Sequence, residues 1–326
     1  ATEYIYPDDV SRAALLADYW HIAGDWQRVI HYARAAAAYA LRIGNFNEAK
    51  DHLHQALNVL TQHPDDHIRV HVLKQLGDAY EGVSDYTQAN HHYKQSLALS
   101  RQLQDEEGKA AALVGLGEIT QKQANYEVAS EWYTQAREIA RKLGNNALLA
   151  AALNGLGTIT AQRGQLGEAR MYFSESLSLR RDIADQKGIA ASLNNLGIVW
   201  RFSGNIDMAL QCLTESLAIR RNIGDRRGIA SSLSNLGITA RIRKDHDAAR
   251  SYYEQSVAIF REIGDQRGIA SALNNLGSVT MELRDFAASL ASYDESLKIA
   301  QRIGDQRAIG YALHNLGRLS MAQENY

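Results

Sequence analysis

Hydrophobic positions along this 326-residue chain fall into two alternating stripes separated by short polar breaks. Between residues 185 and 224, Ile189, Leu193, Leu196 and Trp200 recur at spacings of three and four, which marks one face of an amphipathic helix. Gly204-Asn205 breaks that stripe, and Asn205 is the residue type that caps a helix N-terminus. Ile206, Ala209, Leu213, Leu217 and Ile219 then predict a second helix ending at Gly224, with Asp225 placed to cap the next one. The same Gly-Asp pair returns at Gly264-Asp265 and Gly304-Asp305, so these charged loops are expected to act as helix punctuation.

The block repeats. Leu-Gly occurs at Leu76-Gly77, Leu116-Gly117, Leu156-Gly157, Leu196-Gly197, Leu236-Gly237, Leu276-Gly277 and Leu316-Gly317, each 40 residues after the last, and Ala36-Ala37 keeps the phase upstream. Twelve residues after each glycine comes a small residue (Ala89, Ala129, Ala169, Ala209, Ala249, Ser289). Four later stands a large one: Tyr93, Tyr133, Phe173, Leu213, Tyr253 or Tyr293. Three later again comes Ser96, Ala136, Ser176, Ser216, Ser256 or Ser296. Small residues let two helices approach and the ring fills the gap they frame, so these tyrosines are assigned to the core.

Composition narrows the class. With two prolines, Pro7 and Pro64, long helices are undisturbed, and the chain is read as all-α. A formal net charge of −2 gives no reason to expect nucleic acid as a partner. One cysteine, Cys212, excludes an internal disulfide and a Cys-based zinc cluster and suits a reducing compartment. No apolar run approaches the ~18 residues of a membrane span and no signal-peptide pattern opens the chain, so a cytoplasmic protein without a membrane partner is expected. Opening at Ala1 without Met, the sequence is taken as a fragment of a larger chain.

The order Leu-Gly, Ala, aromatic, small residue resembles the tetratricopeptide repeat, over nearly the whole chain. The resemblance implies a right-handed α-solenoid of tandem helical hairpins. It departs from the family pattern in its 40-residue period, which is similar to that of the kinesin light chains, in Leu73 through Leu313 where the early Trp is usual, and in lacking the late Pro. Residues 1–62 are expected to form atypical opening helices, one ending at Gly24, one from Trp26 to Arg42 that serves two neighbours, and one from Asn45 to Gln62. Residues 63–304 are six regular units, and 305–326 the first helix of a further one, in which Leu313, Leu316 and Leu319 lack a covering partner. The opening segment also resembles the region after the nucleotide-binding core of STAND signal-transduction ATPases. That implies a sensor role, with Trp20, Trp26, Tyr32 and Tyr39 packing against an upstream domain.

In the family so resembled, first helices line a concave groove, and this directs attention to an asparagine ladder: Asn154, Asn194, Asn195, Asn235, Asn274, Asn275 and Asn315. A primary amide has two donors and an acceptor, enough to clamp both backbone groups of an extended chain. Arg201, Arg241 and Arg318 flank the ladder and would select an acidic side chain or a terminal carboxylate through paired N–H donors. The expected ligand is therefore a peptide or protein segment in the groove. In the N-terminal half Asp78, Glu81 and Glu118 make the same face acidic, offset by Lys74 and Lys122.

Other signals carry less. His63, His67, His71 and the pair His91-His92 are read as solvated helix surface rather than a metal site, because no carboxylates accompany them at ligand spacing. Arg180-Arg181 and Arg220-Arg221 are read as helix-end cations favoured by the dipole. No phosphate-binding glycine loop or nucleophile constellation occurs, so neither catalysis nor a cofactor is expected. Two functions remain: a ligand-sensing module of a STAND-type regulator, or a constitutive scaffold that holds a partner's linear motif.

Overall fold

A computed structural model describes residues 12–324; the predicted start of the first helix, and Ala1 and Tyr326, lie outside the described residues. Every regular element among them is a helix. The chain divides into two compact units, one ending at Arg163 and one beginning at Gly164. The first contains α1 (Ala13–Ala23), α2 (Trp26–Ile43), α3 (Phe46–Gln62), α4 (Asp66–Gly82), α5 (Tyr86–Leu103), α6 (Glu106–Lys122), α7 (Tyr126–Leu143) and α8 (Asn146–Gln162). The second contains α9 (Leu166–Asp182), α10 (Gln186–Phe202), α11 (Ile206–Asn222), α12 (Arg226–Ile242), α13 (His246–Glu262), α14 (Gln266–Glu282), α15 (Phe286–Ile303) and α16 (Gln306–Glu324).

Each unit is a stack of helical hairpins. Helix starts are fixed locally, as the spacing predicts: Asp225 accepts from the Gly228 N–H at 2.9 Å, Asp265 from Gly268 at 3.0 Å and Asn205 from Met208 at 3.1 Å. Such a cap contributes about 1 kcal/mol. Within each unit consecutive helices pack against one another, and α2 touches both α1 and α3. First helices also touch one another (α4 with α6, α6 with α8, α10 with α12, α12 with α14, α14 with α16), whereas second helices scarcely meet. That asymmetry curves each unit with its first helices inside.

The repeated sequence code has a direct structural cause. Tyr93 of α5 is fully buried between α4 and α6, and a Cβ on Gly77 or Gly115 would stand 2.4 Å from its ring. Tyr133 is held the same way by Gly117 and Gly155. The serine three residues after the ring does more than stay small. Ser216 donates to the Ala190 carbonyl at 2.8 Å, Ser256 to Ala230 at 2.9 Å and Ser296 to Ala270 at 2.7 Å, tying the second helix of a hairpin to its first. A buried hydroxyl without such a partner would cost ~1–3 kcal/mol.

One expectation is extended and two change. Arg180 and Arg220 stand in the last turns of their helices as expected, and each also donates to the carbonyl of Gly188 or Gly228 at 2.6 Å and to Ser192 or Ser232 at 3.1 Å, bolting one hairpin to the next. Arg220 is 9% exposed, and burial lowers its pKa while Asp225 opposes the shift. His92 is buried at 7% rather than solvated, its ring stacked on Tyr80 at 5.2 Å. Leu319 is 1% exposed, although Leu313, at 53%, is uncovered as expected. A pattern of polarity reports which face a residue occupies, not which neighbouring helix reaches over it.

Candidate functional site

The inner face of the first unit gathers charge. Lys74 and Asp78, one turn apart on α4, pair at 2.8 Å, and Lys122 of α6 reaches Glu81 of α4 at 2.5 Å. Tyr93, rising between the glycines, donates its hydroxyl to Asp78 at 2.7 Å and lies 3.4 Å from Glu81. Its pKa is raised, by burial first and then by the adjacent carboxylates. Burial works most strongly on the Lys74 ammonium and against it, but Asp78, Glu118 and Glu81 together outweigh burial and the pKa rises. Glu118 is left as the excess carboxyl. Burial and then Glu81 push it up to about 8. Tyr133 finds a neutral acceptor, Gln121 Oε1, at 3.2 Å. Elsewhere in this unit Trp20, Trp26 and Tyr32 pack on the core of α1–α4, and Trp26 stacks on His63 at 5.0 Å.

The asparagine positions lie on the first helices. Asn154 stands half-buried on α8 of the first unit. In the second unit, Asn194 and Asn195 stand on α10, Asn235 on α12, and Asn274 and Asn275 on α14, all half-buried, while Asn315 on α16 is buried. The structure joins some of them directly. Asn235 Nδ2 donates to Asn194 Oδ1 and Asn315 Nδ2 to Asn274 Oδ1, both at 3.0 Å, across neighbouring first helices. Each bond uses one of two N–H groups on its donor and leaves the donor's own oxygen. Beside Asn274, a cleft of about 190 Å³ is lined by Ser271, Ala308 and Tyr311 among others.

The arginines divide. Arg241 is already engaged, its Nη1 3.1 Å from Glu282 Oε1. Arg318 is exposed on α16. Arg201 is half-buried at the end of α10, and the Asn235 carbonyl stands 3.5 Å from its Nη1. Burial lowers the Arg201 pKa, with Tyr253 acting in the opposite sense.

Tyr253 is what sequence reading missed. Its ring packs against Gly237, as the core assignment requires, and the residue is 0% exposed, yet its hydroxyl has no hydrogen-bond partner among the described residues. Fifteen residues before Tyr93 stands Asp78, and before Tyr293 stands Ser278, 3.1 Å from that hydroxyl. Fifteen before Tyr253 is Ile238, and twelve before is Arg241, neither of which accepts. Aligning the blocks at those two offsets carries the signal.

Comparison with known proteins agrees with this architecture. The family model described as tetratricopeptide repeat matches residues 27–102, 108–182, 188–262 and 268–326. Among curated proteins, none matches the chain. Similar solved structures include the apo form of the quorum sensor NprR from B. thuringiensis, at 14% identity and a TM-score of 0.70, covering 91% of this chain and 84% of that one. A Rap protein complexed with Competence and Sporulation Factor gives 13% identity and 0.64, with 97% and 98% covered. BtubC (BKLC) from P. vanneervenii gives 20% and 0.57, with 66% and 91% covered. At these identities the likeness concerns the fold. No helix among the described residues is long and apolar enough to cross a membrane.

Proposed function

This chain belongs to the tetratricopeptide repeat family, and we propose that it is a binding module, not an enzyme, that holds an extended segment of a peptide or protein on the inner face of its second unit. The observation that carries this reading is the amide row. Asn195, Asn235, Asn275 and Asn315 recur in step with the fold on consecutive first helices, with Asn194 and Asn274 beside them. Their spacing presents one amide per hairpin to a chain lying across the helices. The Rap structure named above contains a bound Competence and Sporulation Factor, and this similarity in fold supports the choice of a peptide-sized ligand.

Asn275 is the clean probe, because its side chain makes no hydrogen bond among the described residues, whereas Asn235 is tied to Asn194. An array of random ten-residue peptides identifies binders of the intact chain. Asn275→Ala should weaken them about ten-fold or more, since a clamp lost against a buried backbone group costs ~1–3 kcal/mol, and should leave the melting temperature in place. Binders that retain full affinity for this variant would remove the ladder from the site. Asn235→Ala should lower both affinity and stability.

The resemblance of the opening segment to STAND regulators extends the proposal to a cytoplasmic, bacterial sensor, in which ligand bound on this face biases a parent protein between two states. In that role the first unit's aromatic residues would contact an upstream domain. A constitutive scaffold is the alternative. A phosphate-binding loop encoded upstream of Ala1 favours the sensor; an adaptor module there favours the scaffold.

A further inference from the structure

We infer that the junction of α3, α4 and α5 in the first unit is an acid-sensitive latch, which opens when the buried ring of His92 takes up a proton. This stands independently of the groove reading above. Histidine is placed unevenly in the chain: nine of the eleven, from His21 to His92, lie in the stretch from α1 to α5, and the other two are His246 and His314. One register of the second helices is telling. In steps of 40, His52 and His92 are followed by Trp132, Tyr172, Cys212, Tyr252 and Ser292. The fold therefore accepts a ring that cannot be charged there, and histidine adds a proton site.

Nothing around His92 is placed to receive that charge. The residue is 7% exposed, and its Nδ1 has no hydrogen-bond partner among the described residues. Its ring is stacked on that of Tyr80 of α4, 5.2 Å away. His54 of α3 stands 6.2 Å from it and bonds the Tyr80 hydroxyl at 3.0 Å, so three helices meet through three rings. On its own helix His91 is 5.3 Å away. A tyrosine face attracts a cation, but the Lys50 ammonium of α3 already lies 5.2 Å from the Tyr80 ring. Burial first, then His91 and His54, push the His92 pKa down to about 4, against a weaker pull from Gln95. Among the described residues, no carboxylate and no group on α6 acts on it. His52 differs, because Glu48 stands 3.7 Å away to share its charge.

A base that charges more easily in the open state than in the closed one weakens closure as pH falls. Opened, His92 returns to its ordinary 6.5; closed, it stays at about 4. The full stability of the junction is therefore present above pH 6.5 and is lost as pH drops from there towards 4. From about pH 7 to about pH 5 the open fraction should rise about twenty-fold.

The test is hydrogen exchange by mass spectrometry on the full chain at those two pH values, with labelling times scaled to the intrinsic exchange rate. Peptides from α3 to α5 should open about twenty-fold more at the lower pH, while those from α10 to α12, which contain no histidine, change little. His92→Tyr, which supplies the ring used at Tyr172 and Tyr252, should remove most of that rise, and His52→Tyr should leave it in place. Equal protection of α3 to α5 at both pH values, an undiminished rise in His92→Tyr, or a rise lost in His52→Tyr overturns the latch. Should His92→Tyr fail to fold, assigned ¹⁵N histidine spectra of the wild type decide. A His92 ring that stays neutral at about pH 5 while the fold persists supports the latch; one that titrates near the ordinary 6.5 overturns it.

Discussion

The two units are built from the same hairpin, yet they treat one position on the inner face in opposite ways. Two residues before the Leu-Gly glycine, the first unit has Gln75, Gly115 and Gly155, and the second has Asn195, Asn235, Asn275 and Asn315. In the first, glycine lets the ring of Tyr93 or Tyr133 press against the next helix, and the hydroxyls reach acceptors in a carboxylate-rich cluster. In the second, an amide occupies that place, and pairs of amides link neighbouring helices instead. The lesson is that the stacking code and the surface chemistry are separable. Core positions repeat because the hairpin needs them, while the inner face is rewritten unit by unit without disturbing the stack.

The strongest way to break this contrast is to move the second unit's residue into the first. Gly115→Asn places a Cβ 2.4 Å from the buried ring of Tyr93, which has no room to retreat. Overpacking of this kind costs about 1–3 kcal/mol, and the added polar group stands among Asp78, Glu81 and Glu118. Urea unfolding should show a clearly lowered midpoint; a wild-type midpoint would mean that the ring moves freely and the glycine is incidental.

A second difference lies between hairpins. At one position of the second helix the first unit has Ser100 and Ala140, and the second has Arg180 and Arg220, followed by Phe260 and Ala300. Arg220→Ala should destabilise by about 1.5–3 kcal/mol, the usual value for hydrogen bonds to a charged group, because it strips the Gly228 carbonyl and Ser232 of a donor. Little change in thermal unfolding would show that water replaces the guanidinium.

A pH-dependent effect sharpens the electrostatic side. Glu118 titrates near 8 when folded and near its ordinary 4.5 when unfolded, so the folded chain binds the extra proton between those values. Stability from this group is therefore lost as pH rises through that window. The difference in melting temperature between wild type and Glu118→Gln should move in the variant's favour from about pH 4.5 to about 8. A difference that is flat with pH would show that Glu118 ionises as an ordinary surface carboxylate.

Most of the fold was legible because its determinants are local and repeated: stripe spacing, Asp and Asn caps, and a fixed offset from glycine to ring to serine. The charge cluster of the first unit was also legible, since Lys74, Asp78, Glu81 and Glu118 share one helix face or its neighbour. Burial of His92 and the bolting role of Arg180 and Arg220 were not, because each depends on a group brought from another helix. What the chain alone determined is the hairpin and its period, which follow from contacts within about one turn or one block. Only the tertiary structure decided which polar groups meet: that two asparagines 41 residues apart join, and that the hydroxyl of Tyr253 has no hydrogen-bond partner among the described residues. The physical reason is that hydrogen bonds depend on ångström-scale placement across helices, whereas hydrophobic periodicity needs only a face.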